Sequence, residues 1–106
     1  ATMKHYLDKG YTIHTVFAAL KDKDTANMLE LLQSISKTLT LTSFEFYRAN
    51  TAKNLYEQTN KINVSYNENY IDVLNKKTKE INDKELLLIT GSLYFISQVI
   101  NHFISK

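Results

Sequence analysis

The sequence predicts an α/β fold in which helices cover both faces of a mainly parallel sheet. Helical and strand patterns alternate along the chain and are joined by short connections, as is typical of such sheets. The strongest strand candidate, residues 85–90, is apolar at successive positions, as expected where both faces of a parallel strand are covered. The alternation begins with a helix rather than a strand. We therefore expect the sheet to lack its first strand or strands and the chain to be a fragment of a longer protein.

Strands and helices are predicted from different residue patterns. Runs of β-branched, aromatic or alternating apolar residues predict four strands, at residues 11–17, 37–42, 62–66 and 85–90. Phe44 and Phe46 continue the alternation of the second strand, so we expect that strand to include them. Apolar periodicity and capping residues predict five helices, at residues 2–9, 25–35, 51–59, 68–81 and from 92 onwards.

Capping residues and apolar spacing predict how the helices begin, end and pack. Gly10 suits a helix C-cap, Asp24 or Thr25 suits the N-cap of the second helix, and Asn67 suits that of the fourth. Helical spacing predicts core-facing residues on three helices, namely Met28, Leu31, Leu32 and Ile35, then Ile71, Leu74 and Ile81, then Leu93, Ile96, Val99, Ile100 and Phe103.

Composition limits the class of protein. The chain of 106 residues and 12.3 kDa is predicted to form a single domain, residues 1–106. The absence of Cys excludes disulfides and thiolate metal sites and fits a reducing, cytoplasmic location. A net charge of +2 and a single Arg, Arg48, argue against a nucleic-acid partner. No apolar run approaches the ~18 residues of a membrane span, so no membrane partner is expected.

Three short segments follow predicted strands, at the sheet edge where open parallel sheets bind their ligands. They are residues 21–24, residues 47–50 and residues 90–92. In the last segment, Gly91 lets a ligand approach the backbone, and Ser92 offers a hydroxyl beside the free amides of a helix N-terminus. Such a turn can receive a carboxylate or phosphate. The alternative, which composition alone favours, is a tight turn with an N-cap.

Charged residues in the other two segments each allow a functional and a structural interpretation. Asp22 and Asp24 could hold the water shell of Mg²⁺ and Lys23 could meet an anion, but a solvated loop in which Asp24 caps a helix is favoured. Arg48 could bind a carboxylate or phosphate through two hydrogen bonds, or equally well pair with a surface Glu.

Metal and catalytic motifs are not evident in the sequence. His5, His14 and His102 lack metal-ligand spacing and are interpreted as structural. No P-loop, dinucleotide-binding glycine motif or Ser-His-Asp order is present. We therefore predict no metal ligand in the chain.

Four stretches of the chain together form a specific pattern. They are residues 16–24, Met28 and Leu29 with Leu32, residues 46–49 and residues 88–96. The run Thr-Gly-Ser-Leu-Tyr-Phe-Ile, which starts at Thr90, is the most specific part, followed by the turn Lys-Asp-Lys-Asp, which starts at Lys21. In order and separation they resemble the C-terminal domain of folylpolyglutamate synthase/dihydrofolate synthase, a family of the Mur ligase superfamily. The resemblance covers essentially the whole chain.

The resemblance implies a Rossmann-like domain of an ATP-dependent amide ligase. In this family ATP phosphorylates the carboxylate of a folate or of dihydropteroate, and the amine of L-glutamate attacks the acyl phosphate. An N-terminal P-loop domain, which this chain lacks, carries most of the ATP and Mg²⁺ site. The family's Asp-Gly-Ala-His-Asn motif, upstream in family members, is also lacking.

The same resemblance implies roles for particular residues. It implies a glutamate contact for Gly91 and Ser92, and a position facing the interdomain cleft for Asp22, Lys23, Asp24 and Arg48. No catalytic residue is expected in the chain, and we expect the chain alone to be inactive.

A second interpretation is a free-standing α/β binding or adaptor module that uses the same strand-end loops for a protein or phosphate partner. A receiver-like module would carry acidic residues at more than one strand end, whereas only Asp22 and Asp24 come close. The reading frame upstream separates the two interpretations. A frame that encodes a P-loop favours the ligase, and a start at Met3 favours the module.

Overall fold

The structure, a computed structural model that describes residues 6–104, contains a four-stranded parallel sheet. Its strands are β1 (Thr12–Ala18), β2 (Thr38–Leu41), β3 (Val64–Tyr66) and β4 (Glu85–Gly91). They are ordered β3-β2-β1-β4, and each neighbouring pair is parallel. The predicted parallel sheet is therefore confirmed. Residues 6–8 are helical, and the rest of the predicted first helix falls partly outside the described residues.

Four helices cover the two faces of the sheet. They are α1 (Ala26–Ile35), α2 (Ala52–Glu57), α3 (Tyr70–Glu80) and α4 (Leu93–Phe103). One apolar cluster joins Leu29 and Leu55, from α1 and α2, to one face of the sheet. A second cluster joins Leu74 and Phe95, from α3 and α4, to the opposite face. Helices therefore lie on both faces, as predicted. No helix within residues 6–104 has the length and apolar character needed to cross a membrane.

The predicted core face of α1 is half wrong. Met28 and Leu31 are about half exposed, whereas Leu29 and Leu32 are buried and Ile35 packs beside them. Apolar residues occupy so much of the circumference of this helix that spacing alone does not fix its rotation. Packing against the sheet selects the side that carries Leu29 and Leu32.

The predicted core face of α4 also needs correction. Leu93, Ile100 and Phe103 are exposed, whereas Phe95, which spacing did not select, is completely buried, and Val99 is buried as predicted. This helix packs against β4, a strand at the edge of the sheet, and that contact decides which of its apolar residues are buried.

The second strand is shorter than predicted, because it ends at Leu41 and does not continue through Phe44 and Phe46. The amide of Thr42 still donates to the carbonyl of Phe17, at 2.9 Å, and the chain then turns. Phe44 is buried in the turn, where its ring packs against Phe95 with centroids 5.6 Å apart. Because Phe44 is buried in this turn, the sequence has an apolar residue there, and the alternating pattern of the strand therefore continues past its end.

The N-cap of α3 is Asn69 rather than the predicted Asn67. The Asn69 side chain accepts hydrogen bonds from the amides of Ile71 and Asp72. The Asn67 side chain instead accepts one from the Asn69 amide, at 2.9 Å, and so shapes the turn before the helix. Two Asn residues two positions apart give the same capping signal, and only the backbone path decides between them.

Candidate functional site

A cleft lies where the strand order of the sheet reverses. The chain runs from β1 to β2 on one side and reaches β4 on the other side of β1, so the carboxyl ends of β1 and β4 form a switch point. The cleft at this point has a volume of about 580 Å³. Five of the six site residues predicted from the sequence line it, namely Lys23, Asp24, Arg48, Gly91 and Ser92. The sixth, Asp22, lies next to it and contacts Arg48.

Gly91 is required by the backbone, independently of any ligand. Its φ angle is +127°, and a Cβ built on it would lie 2.0 Å from the carbonyl oxygen of Ala18. The same carbonyl accepts a hydrogen bond from the amide of Ser92, at 3.0 Å. The end of β4 therefore lies too close to β1 to carry a side chain at this position.

Ser92 is the N-cap of α4 and can still bind a ligand. Its Oγ accepts a hydrogen bond from the amide of Tyr94, at 3.1 Å. The capping bond uses an oxygen lone pair, so the hydroxyl hydrogen remains free to donate. The structural and the functional interpretations of Ser92 are thus compatible, because one side chain can cap the helix and donate to an anion in the cleft.

An ion pair joins two of the predicted residues, since the guanidinium of Arg48 hydrogen-bonds to the carboxylate of Asp22. This hydrogen bond lowers the pKa of Asp22 and raises the pKa of Arg48. The predicted structural alternative for Arg48, pairing with a surface carboxylate, is therefore realised, with Asp in place of Glu. Both side chains remain substantially exposed, so Arg48 keeps N–H groups that can reach the cleft.

Backbone hydrogen bonds fix the loop that carries Arg48. The Lys21 amide donates to the carbonyl of Arg48, and the Asn50 amide donates to that of Ala19, each at 2.8 Å. The loop after β2 is thereby held against the segment that follows β1. Arg48 thus has a defined backbone position beside the cleft.

Stacked rings connect the same loop to the first turn of α4. The rings of Phe46 and Tyr94 are nearly parallel, at 17°, with centroids 4.5 Å apart. Phe44 also stacks with Phe46, at 11° and with centroids 6.2 Å apart. This stack links the loop that carries Arg48 to the helix that begins after Ser92, so the two sides of the cleft are connected.

Thr90, which belongs to the predicted segment 90–92, also lines the cleft, and the lining residues that the sequence analysis did not assign to the site include Met28, Leu93 and Tyr94. Leu93 and Tyr94 directly follow Ser92, and their position in the first turn of α4 could have indicated them. Met28 gave no such signal, because its spacing assigned it to the core. These residues give the cleft an apolar part beside its charged part.

The carboxylates at the cleft do not fit a metal site. Asp22 is paired with Arg48, and the Asp24 side chain accepts a hydrogen bond from the Ala26 amide at the start of α1. Within residues 6–104 no group of three or more His, Cys, Asp or Glu side chains could hold a metal ion. The magnesium interpretation of Asp22 and Asp24 therefore has no support in their geometry.

His14 lies at the opposite end of the sheet and has a structural environment. Its Nδ1 lies 2.8 Å from Thr38 Oγ1, and its Nε2 lies 2.9 Å from a carboxylate oxygen of Glu85. These contacts connect β1 to both of its neighbouring strands. His102 contacts the ring of Phe103, and His5 falls outside the described residues.

Comparison with known proteins identifies relatives of the chain. No protein-family profile matches it. A curated protein of Bacillus subtilis (strain 168), dihydrofolate synthase/folylpolyglutamate synthase, is 42% identical over 87 residues, which are 82% of this chain and 20% of that protein. The chain is a relative of folylpolyglutamate synthase/dihydrofolate synthase. It spans about a fifth of the length of this relative.

Solved structures of folylpolyglutamate synthases share the fold. Escherichia coli FolC in complex with DHPP and ADP has a TM-score of 0.81 and 20% identity, over 98% of this chain and 25% of that chain. A bifunctional folylpolyglutamate synthase/dihydrofolate synthase with Mn, AMPPNP and L-glutamate bound has a TM-score of 0.74 and 15% identity, over 94% of this chain and 25% of that chain. The fold of this chain is therefore that of about a quarter of these enzymes.

Proposed function

We propose that this chain is the C-terminal domain of a longer ATP-dependent ligase that adds L-glutamate to a folate, or to dihydropteroate. The observation that carries the proposal is the cleft at the switch point, where Lys23, Arg48 and Ser92 come together. The name of the Bacillus subtilis relative supports this activity, and so does the glutamate-bound enzyme of the same fold. The lack of Cys supports a cytoplasmic location for the ligase.

In this proposal the cleft binds the carboxylate of the incoming glutamate. The Ser92 hydroxyl donates to a carboxylate oxygen, and the N-terminus of α4 adds the favourable field of its helix dipole. Lys23, which has no ion pair within residues 6–104, and Arg48 supply positive charge. The amine of the glutamate then remains free to attack an acyl phosphate held by the rest of the longer protein.

ATP and Mg²⁺ belong to the longer protein in this proposal. The carboxylates at the cleft do not fit a metal site, so we assign no metal ligand to the chain. Formation of an acyl phosphate requires the nucleotide, the metal and the folate carboxylate to be held together in reactive geometry. An N-terminal P-loop domain is the partner that would complete the cleft, since this chain supplies one wall of it.

Activity assays of two proteins test the proposal. We expect the longer protein that contains this chain to release ADP and to lengthen a folate by one glutamate, as mass spectrometry would detect. We expect the purified 106-residue chain to do neither. Turnover by the chain alone would contradict the proposal that the rest of the longer protein binds ATP and Mg²⁺. A longer protein without ligase activity would overturn the proposed function and favour a binding or adaptor module.

A further inference from the structure

Gln98 of α4 forms two hydrogen bonds with the backbone of a single residue, Glu45, in the loop between β2 and α2. The Glu45 amide donates to Gln98 Oε1 at 3.1 Å, and Gln98 Nε2 donates to the Glu45 carbonyl at 2.6 Å. The two residues are 53 positions apart in the chain. A side-chain amide carries a donor and an acceptor side by side, so it can bind both backbone groups at once. The Gln98 side chain therefore attaches one point of this loop to α4.

The hydrogen bonds to Glu45 fix the loop more precisely than its ring contacts can. The rings of Phe44 and Phe46, on either side of this residue, contact aromatic rings of α4. Ring contacts are favourable over a broad range of distances and angles, whereas hydrogen bonds weaken steeply when their geometry changes. Gln98 thus determines where the loop lies along α4.

Arg48 follows Glu45 by three residues and is connected to it through a tight turn. The amide of Ala49 donates to the carbonyl of Phe46, at 3.0 Å, and closes this turn. The Arg48 carbonyl in turn accepts from the Lys21 amide, at 2.8 Å. The backbone of Arg48 is thereby held between α4 and the segment that follows β1.

The same helix begins at the cleft, because Ser92 is the N-cap of α4. Gln98 lies six positions further along, so the two residues belong to one rigid element. Since Gln98 holds the loop that carries Arg48, α4 sets the position of Arg48 relative to the Ser92 hydroxyl.

We propose, on the basis of the proposed ligase function, that Gln98 is a positioning residue through which the cleft selects glutamate by its length. Ser92 and the N-terminus of α4 receive one carboxylate of glutamate, and Arg48 receives the other. Aspartate is shorter by one methylene group, so its carboxylates do not reach both positions while Arg48 is held in place. Gln98 does not line the cleft and acts only through the loop.

Two matched variants of the longer protein test this role. Gln98→Met removes both hydrogen bonds but keeps a side chain of similar length and good helix propensity. Gln33→Met is the control, because Gln33 is also a half-buried helical Gln that binds a loop. Its Nε2 donates to the side chain of Asn60 and to the carbonyl of Ile62, just before β3 and outside the residues that line the cleft.

Hydrogen exchange tests whether Gln98 holds the loop. We expect Q98M to speed up amide exchange in residues 43–49, as measured by mass spectrometry, and Q33M to do so around residues 60–63 instead. Unchanged exchange of residues 43–49 in Q98M would overturn the proposal. This measurement needs no ligase activity, so it decides the role of Gln98 in the loop even if the proposed function fails.

Competition between glutamate and aspartate tests the selection. The enzyme receives both amino acids together with ATP and the folate, and mass spectrometry gives the ratio of the two products. This ratio does not depend on the fraction of active enzyme, so a loss of stability alone leaves it unchanged. One methylene group typically changes discrimination by about 10-fold or more, so we expect Q98M to lower the preference for glutamate about tenfold and Q33M to retain it.

The outcomes separate this proposal from the proposed function. Faster exchange of residues 43–49 in Q98M with an unchanged preference for glutamate would overturn the role of Gln98 in selection. An equal loss of preference in Q33M would overturn it as well, because that variant leaves the loop of Arg48 in place. Absence of ligase activity in the protein without substitutions would overturn the proposed function itself.

Discussion

Gly91 and Ser92 form a turn that meets the needs of the backbone and still leaves a hydroxyl hydrogen that could be donated to a ligand. Gly91 is fixed by the carbonyl of Ala18, against which any side chain would collide. Ser92 caps α4 through its oxygen and keeps a hydrogen to donate. The segment Thr-Gly-Ser from Thr90 is therefore a rigid turn at the cleft, and we propose that the Ser92 hydroxyl is the group in it that contacts the substrate.

Replacement of Gly91 by Ala should strongly destabilise the chain. The new Cβ would meet the Ala18 carbonyl at 2.0 Å, and the φ of +127° is unfavourable for any L residue, so we expect a loss of about 3 kcal/mol or more. Gly10→Ala is the matched control, because Gly10 also has a positive φ, +83°, but open space around it. We expect it to lose only about 1 kcal/mol. Urea unfolding of the two variants measures the difference, and equal losses would refute the close-contact argument.

The contact between His14 and Glu85 should make stability depend on acid pH. The hydrogen bond from His14 lowers the pKa of Glu85, so the contact stabilises the folded state above the usual Glu pKa of 4.5 and is lost as the pH falls. Glu85→Gln should therefore reduce the loss of stability on acidification below about pH 5. We expect a smaller change for Glu57→Gln, whose ion pair with Lys61 is more exposed. Thermal unfolding across this pH range measures the stability of the two variants. The same pH dependence in both variants would contradict this account.

For strands and helices, the residue patterns predicted their order along the chain correctly but did not predict how two helices are rotated about their own axes. The alternation of strands and helices followed from residue patterns, and each predicted strand within residues 6–104 is present. The rotation of α1 and α4 did not follow, because Met28 and Ile100 are as apolar as the residues that are buried. Rotation is decided by contacts with the sheet, and a sequence alone does not give the edge position of β4.

The cap of α3 gives a test at this scale. Asn69→Ala removes the acceptor for two amides at the helix start, so we expect a loss of about 1 kcal/mol. Asn75→Ala is a suitable control, since Asn75 is exposed within the same helix and Ala favours helices. Chemical denaturation should show a loss for N69A and almost none for N75A. A comparable loss in both would mean that the cap bonds contribute little.

For the whole molecule, topology rather than local sequence brings the site together. Residues 21–24, 47–50 and 90–92 are far apart in the chain, and their grouping was predicted from the rule that parallel strands present their carboxyl ends at one edge. The sheet order places the first and last of these segments at the switch point. The pairing of Arg48 with Asp22 and the lining by Met28 depend on side-chain packing, which no sequence pattern specified.

The role of Ser92 is measured most directly by its substitution in the longer protein, with glutamate as the varied substrate. Ser92→Asn keeps a good N-cap but removes the hydroxyl, Ser92→Thr keeps both, and Ser34→Ala is a distant exposed control. A hydrogen bond to a charged carboxylate contributes about 1.5–3 kcal/mol, so S92N should raise the KM for glutamate tenfold or more. The KM for ATP should change little, and S92T should stay close to the unchanged enzyme. If S92N leaves both the KM for glutamate and kcat as they were, the cleft does not bind glutamate through Ser92.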